Sequence, residues 1–338
     1  MRVIIVGFGT VARSFLEIVK DRLEWLRQRY GFAPQIVAIL DSGGSMMDQA
    51  GIKLEEALAT RRSEGTVAAH NSLGHRKMNA FDVIGSAEAD VLLELTPTKM
   101  PDGQPALGYI ESAIKKGLNV VTTNKGPLAA AMPALLELAQ YQRVLLRFSG
   151  TVGGGTPILD FAKNCLNGDR IQSIEGILNG TTNYILTRMY DSGIAMDEAL
   201  SEAQKAGYAE ADPTYDVGGL DTAGKIVIMS NWILGRRVSI RDVDIEGITN
   251  VTIQEVQKAK ESGDAIKLVA LADGSELSVR PRPVAISNPL VVKGSLNAVT
   301  FRTEVAGDIT LVGRGAGGRE TAGAVLRDLI EVRKTLLK

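Results

Sequence analysis

Apolar positions fall into short runs separated by polar stretches of helical character. Arg2–Val6 is a β-branched run, GFGTVA follows it, and Arg13–Lys20 repeats apolar residues at helical spacing. The segment RLEWLRQRYG predicts that this first helix runs on for a few more turns. The alternation continues with a strand QIVAILDS (35–42), a helix near Leu54–Arg62 and a strand DVLLELT (90–96). A helix near Ala106–Lys116 and a strand NVVTT (119–123) come next. Strands alternating with helices predict a doubly wound parallel sheet. After VLLRFSG (144–150) the rhythm loosens. Strands read as IQSIEGILN (171–179), KLVALAD (267–273) and SELSVRPRPVAI (275–286), with helices at Pro157–Asn167, Thr182–Ser192, Met196–Ala206 and Thr222–Leu234. That mixture predicts a second, α+β domain.

The glycine motif gives the first domain a task. In a strand–turn–helix context, Gly7 permits a tight turn, Gly9 lets backbone approach a pyrophosphate, and Ala12 allows close helix–strand packing. Gly7, Phe8, Gly9, Thr10 and Val11 therefore form a candidate dinucleotide loop, with the helix N-terminus toward the phosphates. Asp41 closes the second strand, where a carboxylate can accept ribose hydroxyls and repel a 2′-phosphate. Thr96–Pro97 and Thr123–Asn124–Lys125 occupy the ends of later strands, where ligand loops lie. Residues 1–150 are thus expected to form a Rossmann-type domain and 151–309 a catalytic and dimerisation domain. The C-terminal helix within 310–338 is expected to return to the first domain.

Composition narrows the setting. Of 338 residues, 45% are hydrophobic and 23% charged, as in soluble globular chains. A net charge of −1 gives no global field favouring nucleic acid or anionic lipid. No apolar run reaches the roughly 18 residues of a membrane span. Met1 leads straight into the first strand, so no leader is read and a cytoplasmic setting is expected. The lone Cys165 excludes an intramolecular disulfide and reads as a packing residue. His70 and His75 sit in a polar stretch without matching metal-ligand spacing and read as exposed.

The chemistry concentrates in GYAEADPTYDVGGLDTAGK, residues 207–225, which packs Glu210, Asp212, Asp216 and Asp221 ahead of Lys225. Asp221 and Lys225 share a helix face, and Lys225 emerges from the apolar segment AGKIVIMSNWIL. Carboxylates at 210, 216 and 221 offer partners for an ammonium group. Lys125 and Lys225 offer partners for a carbonyl oxygen becoming an alkoxide. With a nicotinamide cofactor implied, the residues describe a dehydrogenase acting on an amino-acid-like substrate.

The same segment closely resembles the signature of the homoserine dehydrogenase family. So do GFGTVA, TTNKGPL, TVGGGTPI, ILNGTTNYIL, NPLVVKGSLNAV and GRGAGGRETAGAVLRDL, in the family's order from residue 7 to 329. The resemblance implies NAD(P)-dependent interconversion of L-homoserine and L-aspartate 4-semialdehyde, a step feeding threonine, methionine and isoleucine synthesis. It implies Lys225 as proton donor, with Lys125 assisting at substrate and cofactor. Glu210 and Asp221 bind substrate by the same carry-over, with Asp216, Thr182 and Tyr208 close to it. Gly207 and Gly315 fall where family members touch the cofactor. Asp41 tilts the expected choice toward NAD over NADP, although Arg61, Arg62 or Arg76 could reach a 2′-phosphate.

The family also binds a monovalent cation such as Na⁺ through backbone carbonyls, by position those of Val152, Gly154 and Thr156. This chain carries Ser149 where members commonly add a glutamate, which removes an anionic ligand. A homodimer is implied, and the absence of sequence after the last helix predicts no kinase fusion or amino-acid-sensing module. Two rival readings remain. An aspartate-semialdehyde dehydrogenase would need an activated cysteine, which Cys165 does not resemble. A non-catalytic NAD sensor would not need both lysines.

Overall fold

A computed structural model describes residues 1–336; residues 337 and 338, the end of the expected C-terminal helix, lie outside the described residues. The chain divides into two compact units, residues 1–151 with 317–338, and residues 152–316.

The first unit is built on a seven-stranded sheet. Its strands are β1 (Arg2–Val6), β2 (Gln35–Asp41), β3 (Gly44–Met47), β4 (Gly74–His75), β5 (Val91–Glu94), β6 (Asn119–Thr122) and β7 (Leu146–Arg147). The spatial order is β4-β3-β2-β1-β5-β6-β7. Strands β2, β1, β5, β6 and β7 are parallel, while β3 and β4 add an antiparallel edge. The order reverses between β1 and β5, so the crevice at their carboxyl ends is the topological switch point. Near-continuous Val, Ile and Leu in β1, β2 and β5 match a sheet covered on both faces.

The core packs Phe15, Leu16 and Val19 of the helix Thr10–Asp21 with Val325, Leu326 and Leu329 of the helix Gly318–Leu336. The C-terminal helix thus belongs to the first unit's core. It begins later than 310: residues 308–314 form a strand of the other unit, paired antiparallel with residues 296–302 at the edge of that unit's sheet. The first helix also stops earlier than its hydrophobic pattern predicts. It ends at Asp21, and Leu23–Tyr30 forms a separate, mostly exposed helix.

The second unit holds six strands: β8 (Ile171–Ile177), β9 (Asp244–Ile245), β10 (Asp264–Ala272), β11 (Leu277–Ala285), β12 (Leu296–Thr303) and β13 (Asp308–Arg314). Their order is β13-β12-β8-β10-β11-β9, antiparallel except for the β11–β9 pair. One face buries Ile174, Ala270, Val279, Val299 and Phe301. The other carries Glu175, Leu271, Thr300 and Arg302 around an open cleft of about 550 Å³. Among the described residues, no helix is long and apolar enough to cross a membrane.

Candidate active site

The dinucleotide loop is set by sterics. Gly7 has φ +96°, and a Cβ there would lie 2.6 Å from the Leu95 carbonyl and the Thr96 nitrogen. Only glycine lets the β1 turn pass so close to the end of β5. Gly9 precedes the helix Thr10–Asp21, has open space where a Cβ would point, and provides no side-chain cap. The first-turn amides of this helix are therefore available to an anion, and no acidic side chain opposes one. Phe8 is buried and anchors the loop, Val11 is half-buried and Thr10 is exposed.

Asp41 has a second occupation. Its Oδ1 accepts the Gly43 N–H (2.9 Å) and the Thr66 hydroxyl (2.7 Å), and its Oδ2 accepts the Val67 N–H (2.9 Å). The Arg61 guanidinium pairs with Oδ2 at 3.3 Å, and the Asp41 side chain is only 4% exposed. Four protein donors fill the carboxylate's acceptor sites, so its structural work is to pin the loop beyond β2. Arg61, counted among possible 2′-phosphate partners, is the cation of that pair.

At the ends of β5 and β6 the loops are cross-braced. Asn124 caps the helix Lys125–Tyr141 by accepting the Gly126 N–H (3.0 Å), and donates to Thr96 Oγ1 (3.2 Å) and the Pro97 carbonyl (3.3 Å). The Lys125 N–H donates to Thr98 Oγ1 (3.3 Å). Lys125, half-buried, is thereby held at a helix start above the β6 end.

In the second unit the helix Leu220–Ile233 carries Asp221 and Lys225 one turn apart. Lys225 is 6% exposed and its Nζ donates to Asp221 Oδ2 and to the Leu178 carbonyl, both at 2.6 Å. Its third N–H has no protein acceptor among the described residues. Asn179 joins the cluster: its Nδ2 donates to Asp216 Oδ1 (2.7 Å) and Asp221 Oδ2 (2.9 Å). The same side chain caps the helix Gly180–Ser192 through the Thr182 N–H (2.8 Å), which puts Thr182 beside the carboxylates. Asn297 donates to the Leu178 carbonyl at 2.7 Å and so shares Lys225's acceptor.

Other sequence candidates fall around this centre differently. Tyr208 stacks near Tyr184, 4.7 Å between ring centroids, and its carbonyl accepts the Thr181 hydroxyl (2.7 Å). Gly207 follows the helix Met196–Lys205 as its turn residue. Glu210 is exposed; among the described residues it joins no carboxylate cluster, and only its carbonyl is bonded, by Gln204. Asp212 caps the turn after Pro213 through the Thr214 N–H (3.1 Å) and hydroxyl (2.5 Å), so the two aspartates divide: 212 shapes the turn, 216 joins the cluster. A Cβ on Gly315 would strike the Asn297 amide, and Gly154 lies against Gly315. The Thr156 carbonyl already accepts the Ile158 N–H (2.9 Å), and Val152 is buried. Among the described residues no group of three or more His, Cys, Asp or Glu side chains could hold a metal; a site of backbone carbonyls is a different donor set. Cys165, read as a packing residue, is exposed on the last turn of its helix.

Asn179, Asn297 and Glu94 are the residues that sequence reading missed. Asn179 had a local signal, an N-cap residue opening a helix at GTTNYIL. Asn297 had none, since its partner, the Leu178 carbonyl, lies far along the chain, and the buried Glu94 bonds both Thr96 at its own strand end and Thr122 on the neighbouring strand.

The family comparison joins these halves of chemistry. A homoserine dehydrogenase family model matches residues 157–330, and the model of that family's NAD-binding domain matches residues 7–149. The homoserine dehydrogenase of Methanocaldococcus jannaschii is 42% identical over 338 residues, covering all of both chains. The chain belongs to the homoserine dehydrogenase family. An NAD⁺-dependent homoserine dehydrogenase of Pseudomonas canavaninivorans is 37% identical, covering 98% of this chain and 96% of that one. The structure of a hyperthermophilic archaeal homoserine dehydrogenase in complex with NADPH superposes with a TM-score of 0.86 at 29% identity, covering 100% and 98% of the two chains. That solved homoserine dehydrogenase thus shares this fold along the whole chain.

Proposed function

We propose that the chain catalyses the NAD(P)-linked interconversion of L-homoserine and L-aspartate 4-semialdehyde, serving threonine, methionine and isoleucine synthesis. The observation that carries the mechanism is Lys225: a buried ammonium with two N–H groups committed to protein acceptors and one left over. When bound, the cofactor supplies hydride to the aldehyde carbon or receives it in the reverse direction. Lys225 gives its remaining proton to the aldehyde oxygen as negative charge develops there, and takes it back during oxidation. Asp221, bonded to Lys225, keeps the lysine aimed. Lys125 assists at substrate and cofactor. Asp221 and Glu210 bind the substrate, with Asp216, Thr182 and Tyr208 beside it; Glu210→Ala should raise the KM for homoserine while leaving dinucleotide affinity unchanged.

Gly7, Phe8, Gly9, Thr10, Val11, Thr96, Pro97, Lys125, Gly207 and Gly315 form the cofactor contacts in this reading, while Asp41, its acceptor sites taken by protein donors, shapes the loop at the ribose end. The uncapped helix after Gly9 supports the pyrophosphate position. NAD is used at least as well as NADP, since an anionic side chain stays at the end of β2 and the 37%-identical relative is NAD⁺-dependent. A monovalent cation such as Na⁺ binds the carbonyls of Val152, Gly154 and Thr156, and activity in Na⁺ against choline buffers tests it. Ser149, standing where relatives add a glutamate, gives its N–H (2.8 Å) and hydroxyl (2.6 Å) to Asp328, a carboxylate already paired with Arg147 at 3.1 Å. The protein works in the cytoplasm as a homodimer.

The test is direct: purified protein with homoserine and NAD⁺ or NADP⁺ at alkaline pH should generate absorbance of the reduced cofactor. No turnover with either sinks the proposal, and a strong preference for NADP⁺ in comparative kcat/KM overturns the cofactor choice.

A further inference from the structure

Glu94 ends β5 and is fully buried. Its Oε1 accepts both the backbone N–H (3.0 Å) and the hydroxyl of Thr96, and its Oε2 accepts the Thr122 hydroxyl (2.9 Å). Every donor is neutral, and among the described residues no cation bonds to it. Both hydroxyls are themselves acceptors for Asn124, through its Nδ2 at Thr96 (3.2 Å) and its backbone N–H at Thr122 (3.0 Å), which orients their protons onto the carboxylate. A buried carboxylate held by donors alone is costly without a compensating positive charge. Burial raises the Glu94 carboxyl above its ordinary range, opposed by the donors at Thr96, Thr122 and Asn124.

The position gives that anion an object. With pyrophosphate at the helix after Gly9 and adenosine toward β2, the nicotinamide half of a dinucleotide lies on the other side of the switch point. That side is made by the ends of β5 and β6, which Glu94 underlies. The oxidised nicotinamide ring is cationic and the reduced ring is neutral.

We propose that the Glu94 carboxylate is a positioning and electrostatic residue of the cofactor site, bracing the loops after β5 and β6 and favouring the oxidised over the reduced nicotinamide. The inference rests on the cofactor reading above. It requires no contact between Glu94 and the ring, because a fixed charge in a dry site acts over several ångströms. Only a differential interaction of this kind changes the ratio of the two affinities.

The test measures dissociation constants of the oxidised and reduced cofactor by calorimetry and by fluorescence, using whichever of NAD(H) or NADP(H) binds the native protein more tightly. Glu94→Gln should raise the ratio Kd(oxidised)/Kd(reduced) about tenfold. Glu94→Asp, which keeps the charge, should leave the ratio within about twofold even where both affinities fall. Should Glu94→Gln not fold, Thr122→Val removes one donor and should move the ratio in the same direction by a smaller factor. An unchanged ratio in Glu94→Gln, or in Thr122→Val where that variant stands in, overturns the proposal. So does an equal shift in Glu94→Asp and Glu94→Gln. Native protein that binds no dinucleotide would instead defeat the cofactor reading on which the proposal rests.

Discussion

Lys225, proposed above as the proton donor, sits in a pair unlike an ordinary surface salt bridge. An exposed Asp–Lys pair one turn apart is worth a few tenths of a kcal/mol and does little else. Here the pair is desolvated, Lys225 also holds the Leu178 carbonyl, and Asn179 shares Asp221. Lys225→Ala should therefore lower kcat by roughly 10²–10⁴-fold, the usual contribution of a positioned proton donor. Near-normal kcat in steady-state assays would remove that role. Asp41 teaches the reverse lesson, because a residue placed by motif as a ligand contact is also a loop anchor. Asp41→Asn would set an amide against donors and release Arg61. The expected loss is about 1–3 kcal/mol, visible as a lower Tm. Relative kcat/KM for NADP⁺ should rise at the same time, because a guanidinium replaces an anion at that rim. A lower Tm with unchanged selectivity would leave Asp41 a purely structural residue.

At the scale of elements, the strong periodic segments were legible and the cross-strand ones were not. Glycine spacing after a β-branched run announced β1 and its helix, and the alternation through Asn119–Thr122 announced the parallel sheet. Strands β12 and β13 escaped because their burial patterns depend on which neighbour they pair with. The carboxylate-rich segment announced the pairing of Asp221 with Lys225, yet Glu210 stays outside that cluster, and Asn179 and Asn297 organise it from other elements. Lys267 of β10 is a further case. It is 3% exposed and donates to Asn183 (2.7 Å), Thr187 (3.2 Å) and the Val292 carbonyl (2.9 Å), tying the sheet to the helix Gly180–Ser192. Burial lowers its pKa from 10.5 to about 8. Between those values the unfolded chain binds the extra proton, so stability contributed through this site rises with pH across that window. Below about 8 the buried charge carries its full cost. Measured against Lys267→Met, native protein should gain up to about 3 kcal/mol in unfolding free energy between pH 8 and pH 10.5. A pH-independent difference would show that Lys267 is not buried as a titrating ammonium.

For the whole molecule, the second unit's sheet poses the question of what covers its open face. One side is packed by helices, whereas Glu175, Leu271, Thr300 and Arg302 line a cleft on the other. Burial already raises the Glu175 carboxyl, while Arg282 and Arg302 pull it back. The face thus mixes a half-buried carboxylate with guanidinium groups and an apolar leucine, a composition able to pair with its own copy about a two-fold axis. The homodimer proposed above is expected to form through this face. Sedimentation equilibrium should then give a mass near twice 36.1 kDa. Leu271→Asp combined with Thr300→Asp adds like charge beside Glu175 on both copies, so it should shift the mass toward the monomer without altering the helix-packed side. Native protein sedimenting as a monomer would defeat the dimer itself. A variant that stays dimeric would move the interface elsewhere, because four added carboxylates facing one another cannot be buried at no cost.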